Sequence, residues 1–281
     1  MDEHAVQQFR AEVVARKNLP TIPTVLARIL QLVDGESASG RELIDVIEHD
    51  QALTGKMLRL ANSAFFGQSR RVATIPRAVV LLGFSTVRNL ALGVKVWDAL
   101  GSGIARARLE ELWAHGVAVA IASKTLAARL RAGDPDVGFT AGLLHDTGRL
   151  VIAMRLREEY WIAVGGATES QPVDRLERSA FGVDHAEVGG WLLESWNLPA
   201  AIIDAVREHH AETWHSGIPG LLAVVDRLVS WTDLGSGALR PEAEQLLRRS
   251  GEHGITPTLW AETVAHLRER GELASLGRLE A

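Results

Sequence analysis

The chain has 281 residues, of which 47% are hydrophobic and 23% are charged, a composition typical of a globular protein and not of a disordered segment. Cysteine is absent, which excludes disulfides, zinc fingers, iron–sulfur clusters and thiol nucleophiles. Lys and Arg number 30 against 35 Asp and Glu, and the resulting net charge of -5 disfavours binding to nucleic acid, because a phosphate backbone normally requires a basic surface.

Hydrophobic periodicity predicts short helices in the first third of the chain. Apolar residues repeat at helical spacing from Thr24 to Val33, and Asp34-Gly35 ends this stripe. Residues 70–74 are the one stretch where we expect short extended segments. Further helices are predicted to begin at the capping residues Ser39, Asp50 and Thr74, and another to cover residues 86–100.

The second half of the chain has the same helical periodicity. Helices are predicted over residues 106–130, 137–157, 173–181, 185–196, 199–210 and 220–231, and two more from Pro241 onward. Gly101 and Gly103 mark the best candidate for a boundary. We therefore predict an all-α fold of two packed helical subdomains over residues 1–103 and 104–235, with C-terminal amphipathic helices over residues 236–281 packed on the domain.

Glu111 and His115 are four residues apart on the predicted helix over residues 106–130, so they share one helix face. One ion or one water molecule could contact both side chains. Because such pairs are common on exposed helix faces, a surface Glu–His pair is the alternative interpretation.

His145 and Asp146 interrupt a strongly apolar stretch. Burying two ionisable groups costs several kcal/mol unless each has a partner, and a divalent cation satisfies an imidazole nitrogen and a carboxylate oxygen together. Gly142 and Gly148 would let a ligand or another helix approach the pair closely. The alternative is a core Asp that holds a His tautomer.

Two predicted helix ends also carry histidine. Asp184 has the side chain of an N-cap, with Glu187 as its reciprocal partner, and this would fix His185 in the first turn of its helix. His209 and His210 end the helix over residues 199–210, where the helix dipole favours a protonated histidine and where a metal-bound one is also possible. An exposed histidine at a helix start is the alternative for His185.

Asp226 follows the apolar run from Leu221 to Val225, which we expect to be buried. An isolated ionised carboxylate is not stable in such surroundings. Asp226 must therefore be paired with Arg, hydrogen-bonded or bound to a metal.

The order of these residues resembles the HD superfamily of metal-dependent phosphohydrolases, with a single His, a His-Asp pair and a distant Asp on different helices. The matching residues are His115, the pair His145-Asp146, and Asp226. Extra histidines match the additional ligands of the HD-GYP branch, which hydrolyses cyclic dinucleotides, and Glu111 stands where that branch can supply a carboxylate. These histidines are His185, His209 and His210. The branch signature is broken, because Ile218 replaces its tyrosine.

Four segments of the first half point to a more specific family. They are residues 19–23 (LPTIP), 47–54, 58–67 and 78–83. The most distinctive stretch is Asn62-Ser63-Ala64, which is followed by aromatic residues and a glycine. These segments resemble the HDOD family, the HD-related output domain of bacterial signalling proteins, and the resemblance covers about residues 19–230.

The resemblance implies a centre of two divalent transition-metal ions that catalyses phosphoester hydrolysis. Asp146 would bridge the two ions. One ion would be completed by His115, His145 and Asp226, and the other by His185, His209 and His210. Glu111 is a further candidate ligand. Arg149 replaces the lysine of the hydrolases, and we expect it either to contact phosphate in catalysis or to be solvated at a helix end. Ligands without sulfur leave iron, manganese and zinc as candidates.

Two functions follow from the resemblance. Because HDOD domains are regarded as regulatory and Ile218 breaks the HD-GYP signature, we place first a bacterial signal-transduction module with a metal site and a protein signalling partner. The alternative is a metal-dependent phosphohydrolase or phosphodiesterase that acts on a nucleotide or a cyclic dinucleotide.

The sequence predicts a cytoplasmic protein without a membrane partner. No apolar run reaches the about 18 residues of a membrane span. The acidic start, Met1-Asp2-Glu3-His4, lacks the basic region of a signal peptide.

Overall fold

The computed structural model describes residues 3–15, 24–34, 39–62, 72–168, 171–211, 216–234 and 236–269. Within these ranges the fold is all-α, as predicted, and the only β-pairing is an isolated bridge between Thr232 and Leu239. The helices are α1 (Glu3–Val14), α2 (Thr24–Asp34), α3 (Gly40–Glu48), α4 (Gln51–Asn62), α5 (Ile75–Leu82), α6 (Phe84–Leu100), α7 (Arg106–Leu130), α8 (Pro135–Leu144), α9 (Thr147–Leu156), α10 (Glu158–Val164), α11 (Val173–Phe181), α12 (His185–Ser195), α13 (Ala200–Glu208), α14 (Ile218–Ser230), α15 (Pro241–Ser250) and α16 (Pro257–Glu269), with a short 3₁₀ helix at Gly251–His253.

Side-chain caps fix the starts of several N-terminal helices as the sequence predicts. Ser39 Oγ accepts a hydrogen bond from the Glu42 N–H (3.2 Å), and the Glu42 carboxylate accepts one from the Ser39 N–H (3.1 Å). Asp50 accepts a hydrogen bond from the Leu53 N–H (2.9 Å), and Thr74 caps α5. Residues 70 and 71 of the expected extended stretch lie outside the described residues, and residues 72–74 form no strand.

The prediction of one helix over residues 137–157 is wrong, because the chain forms α8 and α9 with a break at His145 and Asp146. At the break the Thr147 hydroxyl donates to the carbonyl of Leu144 (2.7 Å), and Asp146 has φ -90° and ψ 4°. The apolar pattern continues through both helices, so hydrophobic periodicity does not reveal the break.

Two helices are absent from the sequence prediction. Helix α1 buries only Phe9 and Val13, too few apolar residues for a clear stripe, and packs on α12, where the rings of Phe9 and Trp191 are 6.3 Å apart. Helix α10 directly follows α9, and the chain turns between them at Arg157, which has a φ of 50°.

Helix α7 is the central helix of the second half, where it packs against α8, α14 and α16. Helix α12 packs against α9 and α13. Buried hydrophobic residues of these helices form one core with those of the N-terminal helices. The proposed boundary at residues 101–103 stays a prediction.

None of the described helices is by itself long and apolar enough to cross a membrane. Helices α5 and α6 reach the required length and hydropathy only as a pair, and they are bent by 119°.

Candidate metal centre

The break between α8 and α9 positions the His145-Asp146 pair. His145 ends α8, and its Nδ1 hydrogen-bonds the carbonyl of Gly142 (2.7 Å). The N–H therefore lies on Nδ1, and the lone pair of Nε2 faces into the site. His145 and Asp146 are only 1% and 4% exposed.

Two glycines allow neighbouring helices to approach this pair. A Cβ on Gly148 would lie 2.0 Å from the carbonyl oxygen of His185, and a Cβ on Gly142 would lie 2.6 Å from Cα of Ala120. Of the two possibilities open in the sequence, a ligand or another helix, the structure has a helix at both positions.

Helix α12 begins at the second histidine of the site. The Asp184 side chain caps it, since its Oδ1 accepts a hydrogen bond from the Glu187 N–H (3.0 Å), as predicted. The Glu187 carboxylate lies 3.5 Å from Arg178. His185 is buried in the first turn, where its Nδ1 lies 2.5 Å from Oε2 of Glu177.

His209 and His210 follow the end of α13 and point into the same space. Nδ1 of His209 hydrogen-bonds the carbonyl of Val206 (2.6 Å), which leaves Nε2 as the free ring nitrogen. The Arg227 guanidinium donates to the carbonyls of His210 and Ala211, both at 3.0 Å, and so holds the end of this helix.

Helices α7 and α14 close the site from the other side. Nε2 of His115 on α7 hydrogen-bonds Oδ1 of Asp226 on α14 (2.8 Å). The same Asp226 oxygen lies 3.5 Å from Nε2 of His145. The buried carboxylate of Asp226 is thus paired with two histidines and not with arginine.

Side chains from five helix segments therefore meet in one cluster. Three groups have ligand atoms that all lie within 4.8 Å of one another: His185, His209 and His210; His115, His145 and Asp146; and His145, His209 and Asp226. These groups contain seven of the eight predicted ligands. Glu111 is exposed and belongs to none of the groups found among the described residues.

The donor and acceptor pattern fits a cation better than a set of hydrogen bonds. Nε2 of His185 lies 2.8 Å from Nε2 of His210, 3.2 Å from Nε2 of His209 and 3.2 Å from Oδ1 of Asp146. A single proton on His185 can serve only one of these acceptors. A divalent cation can accept a lone pair from each of them.

His145 supplies an independent observation. Its Nε2 is buried and has no hydrogen-bond partner among the described residues, although the oxygens of Asp226 and Asp146 lie 3.5 Å and 3.7 Å away. A buried, unpartnered ring nitrogen is costly, and a metal bond is a common way to satisfy one. The residues therefore fit a bound metal ion.

Both buried aspartates are held in the ionised form. Burial disfavours the charge of Asp146, but the guanidinium of Arg149 and the ring of His145 outweigh it and keep the pKa well below its ordinary value. Burial also opposes the charge of Asp226, but the hydrogen bond from His115 and the nearby ring of His145 keep its pKa well below the ordinary value.

The surroundings of the histidines shift their pKa values in opposite directions. Burial alone would lower the pKa of His185, but the neighbouring Glu177 and Asp146 raise it to about 10. Burial and the nearby His145 and His185 lower the pKa of His209 to about 3. The carboxylates thus favour a positive charge beside His185, where a proton or a metal cation can provide it.

The cluster lies at the floor of an open pocket of about 720 Å³. His115, Asp146, His185, His210 and Asp226 line the pocket together with Arg149. A molecule in this pocket therefore has direct access to the cluster, as catalysis would require.

The chain matches a known domain family over most of its length. The sequence pattern of the HDOD domain matches residues 19–212, which is more than half of the chain. The chain belongs to the HDOD domain family. The HDOD match contains all the clustered ligands except Asp226.

Solved structures and one curated relative resemble this HDOD protein. A protein from Shewanella amazonensis SB2B that is provisionally named a phosphohydrolase is 26% identical, with a TM-score of 0.74 and coverage of 96% of this chain and 98% of that one. An HDOD domain protein of unknown function from Geobacter sulfurreducens is also 26% identical, with a TM-score of 0.73 and 99% of both chains covered. An uncharacterised protein of Treponema pallidum is 28% identical over an alignment of 203 residues, which covers 69% of this chain but only 38% of that relative.

Two residues of the candidate site are missing from the sequence prediction. Tyr160 on α10 donates a hydrogen bond to Oε1 of Glu177 on α11 (2.7 Å), and Nε of Arg149 donates to the Tyr160 oxygen (3.1 Å). Arg149 also donates to Oδ2 of Asp146 (3.1 Å), so a closed ring of contacts runs from Asp146 through Arg149, Tyr160 and Glu177 to His185 and back to Asp146. Arg149 is thus held by protein groups and is not simply solvated.

The sequence did contain one signal for Glu177. Within α11 it lies four residues after Val173 and four before Phe181, both apolar, so it occupies the buried face of its helix. A carboxylate at such a position needs a partner, as Asp226 does.

Proposed function

We propose that this HDOD protein holds two divalent transition-metal ions at the cluster and hydrolyses phosphoester bonds in the adjoining pocket. The observation that carries the proposal is the position of His185 Nε2, which faces His209, His210 and Asp146 within 3.2 Å at the floor of an open pocket. The provisional phosphohydrolase name of the Shewanella relative gives independent support.

One of the three groups, His185, His209 and His210, would hold one ion. His115, His145 and Asp226, which come from the other two groups, would hold the second, since Nε2 of His115 and of His145 lie 2.8 Å and 3.5 Å from the same Asp226 oxygen. Oδ1 of Asp146 lies 3.2 Å from His185 Nε2 and 3.7 Å from His145 Nε2, so this carboxylate stands between the two sets as a bridging ligand would. Nitrogen and oxygen ligands suit iron, manganese or zinc.

Bound divalent ions would lower the pKa of a coordinated water molecule toward neutrality and polarise the phosphoester. The chain supplies the rest of the site. Arg149 holds Asp146 in place with one guanidinium nitrogen and lines the pocket, where the same planar group can bind phosphate oxygens. The Glu177 carboxylate fixes His185 because it accepts a hydrogen bond from the backbone N–H of His185 (2.8 Å) and also contacts Nδ1 of the His185 ring.

Hydrolysis of bis(p-nitrophenyl) phosphate tests this proposal. Protein loaded anaerobically with Mn²⁺ or Fe²⁺ should release p-nitrophenol faster than the metal alone, and Asp146→Asn should abolish the release. Glu111→Gln is the matched control, since this exposed carboxylate lies outside the cluster. Metal-loaded protein without turnover of this ester and of cyclic dinucleotides would refute the hydrolase.

A cytoplasmic signalling module with a protein partner is the second candidate, and the packing between the two halves supports it. Gly93 on α6 lies against Leu143, where an added Cβ would come within 2.4 Å of the leucine side chain. Leu143 precedes His145 by two residues, so a movement of α6 would be passed directly to the metal cluster. Amide hydrogen exchange tests the link: metal loading should slow exchange in α6 as well as in α8, and an unchanged α6 would contradict it.

A further inference from the structure

One wall of the pocket is built by a helix that lies beyond the segment matched by the HDOD family. The match ends at residue 212, and α15 covers Pro241–Ser250. The residues of α15 that line the pocket are Glu242, Gln245, Leu246 and Arg249. Their spacing of three, one and three residues places them on one face of the helix. The buried residues of α15 are Ala243, Leu247 and Ser250, which lie on another face.

Hydrogen bonds in the turn before α15 fix the position of this wall. The Arg240 N–H donates to the carbonyl of Trp231 (2.9 Å), and the Asp233 N–H donates to the carbonyl of Ala238 (2.8 Å). The Trp260 ring on α16 donates to the hydroxyl of Thr232 (3.1 Å) and ties the turn to the core. Side chains of this wall therefore face the pocket from a defined backbone.

The pocket is rich in guanidinium groups outside the ligand cluster. Arg227, Arg240 and Arg249 line it, and Arg175 of α11 contributes from another element. The acidic residues that line the pocket outside the ligand cluster are Asp174 and Glu242. Among these lining residues arginines thus outnumber carboxylates, although the chain as a whole has a net charge of -5.

The arginines differ in how they are held. Arg227 is oriented by the carbonyls of His210 and Ala211, next to the metal cluster. Arg240 and Arg249 are exposed and line the pocket, and Arg249 has no ion pair with any described residue. Its neighbour Arg248 points elsewhere and lies 3.8 Å from Glu244. Only Arg249 of this adjacent pair faces the pocket.

Guanidinium groups on a fixed backbone suit a phosphate, because their planar donors bind two oxygens at once. The pocket volume of about 720 Å³ is that of a site for a whole organic ligand rather than for one phosphate. We propose that Arg240 and Arg249 form a second anion-binding subsite, which takes a second phosphate group of a ligand whose first phosphate lies at the histidine and aspartate cluster. The location of the first phosphate rests on the proposed function, whereas the arginine subsite does not.

Two linear dinucleotides that differ by one phosphate test the subsite. ApA has a single phosphodiester, and pApA has the same diester with an additional 5′-phosphate. We expect calorimetry on chelator-treated protein to give about tenfold tighter binding for pApA, the size of effect that charge-assisted hydrogen bonds produce. Arg240→Ala with Arg249→Ala should remove the difference, and Arg248→Ala, the matched control, should preserve it.

Equal binding of the two dinucleotides to the wild-type protein, including no binding of either, would overturn the subsite. A double variant that still prefers pApA as strongly as the wild type would also overturn it. The titration needs neither metal nor turnover. A failure of hydrolysis therefore counts against the proposed function alone, and a failure of this titration counts against the subsite alone.

Discussion

The Nε2 atoms of His185 and His210 lie 2.8 Å apart, closer than two unprotonated ring nitrogens can approach without repulsion. Nδ1 of His185 faces Glu177, so a neutral ring would carry its proton there and present a bare lone pair to His210. A proton on Nε2 of His210 would satisfy this one contact but would leave the other atoms around His185 Nε2 without a shared partner. With His209 and Asp146 at the same nitrogen, a metal cation satisfies the cluster more completely than one proton.

Removal of the central pair should eliminate metal binding. His145→Ala with Asp146→Ala removes one buried nitrogen and the carboxylate between the two ligand sets. We expect the metal content of the purified protein to fall to about a tenth or less, because even loss of a group that only orients a ligand typically lowers metal affinity about 10–100-fold. His49→Ala, in the N-terminal half, should leave the content unchanged. Elemental analysis measures both, and undiminished metal in the double variant would show that the ligands lie elsewhere.

Tyr160→Phe should weaken the metal site without touching a ligand. The hydroxyl links Arg149 to the buried Glu177, so its loss leaves two charged groups short of a partner. We expect the free energy of unfolding to fall by about 1–3 kcal/mol and the metal affinity by about 10–100-fold. Chemical denaturation and metal titration measure the two effects.

A second buried hydroxyl provides the control for this prediction. Thr263 on α16 donates to the carbonyl of Leu259, far along the chain from the cluster. Thr263→Val should lower stability but leave metal affinity as it is. If Tyr160→Phe behaved like Thr263→Val, the ring of contacts around His185 would have no part in metal binding.

Gly148→Ala should displace the metal ligands. The added Cβ would meet the carbonyl oxygen of His185 at 2.0 Å and the nitrogen of Gly189 at 2.7 Å, and backbone atoms cannot move away cheaply. We expect a destabilisation of at least about 1–3 kcal/mol together with loss of metal. Gly166→Ala, where nothing lies within 4 Å of the added carbon, should change neither property. Retention of normal metal content by Gly148→Ala would contradict the close contact of α9 and α12.

Metal removal should lower thermal stability. A ligand at about 100 times its Kd stabilises the folded state by about 2.7 kcal/mol, and for a chain of this size that corresponds to about 5–10 °C in Tm. We expect EDTA to lower the Tm by this amount and excess Mn²⁺ to restore it. The His145→Ala, Asp146→Ala double variant should show no response to either, and an equal response would indicate metal binding at another site.

The sequence was informative where a polar residue breaks an apolar pattern. Asp226 within a buried run and the His145-Asp146 pair stood out because buried charges need partners, and both lie in the cluster. The helix Arg106–Leu130, which carries His115, also matches its prediction residue for residue. Long amphipathic or buried helices with clear ends are the elements that periodicity describes best.

Features that depend on tertiary packing could not be derived in the same way. The break between α8 and α9 leaves the apolar spacing unchanged, and it is set by local hydrogen bonds and by the fit of Gly148 against α12. The partnership of Tyr160 with Glu177 joins two helices whose relative position the sequence does not encode locally. The orientation of α15 toward the pocket is likewise a result of how the turn at Arg240 packs.

Anomalous X-ray diffraction from crystals soaked with Mn²⁺ tests the central claim most directly. We predict anomalous peaks bonded to Nε2 of His185, His209 and His210 and, on the other side of Asp146, to His115, His145 and Asp226. The same soak of the His145→Ala, Asp146→Ala variant should show no such pair of peaks. A folded protein with no anomalous density at these side chains after soaking with manganese, iron or zinc would contradict the account.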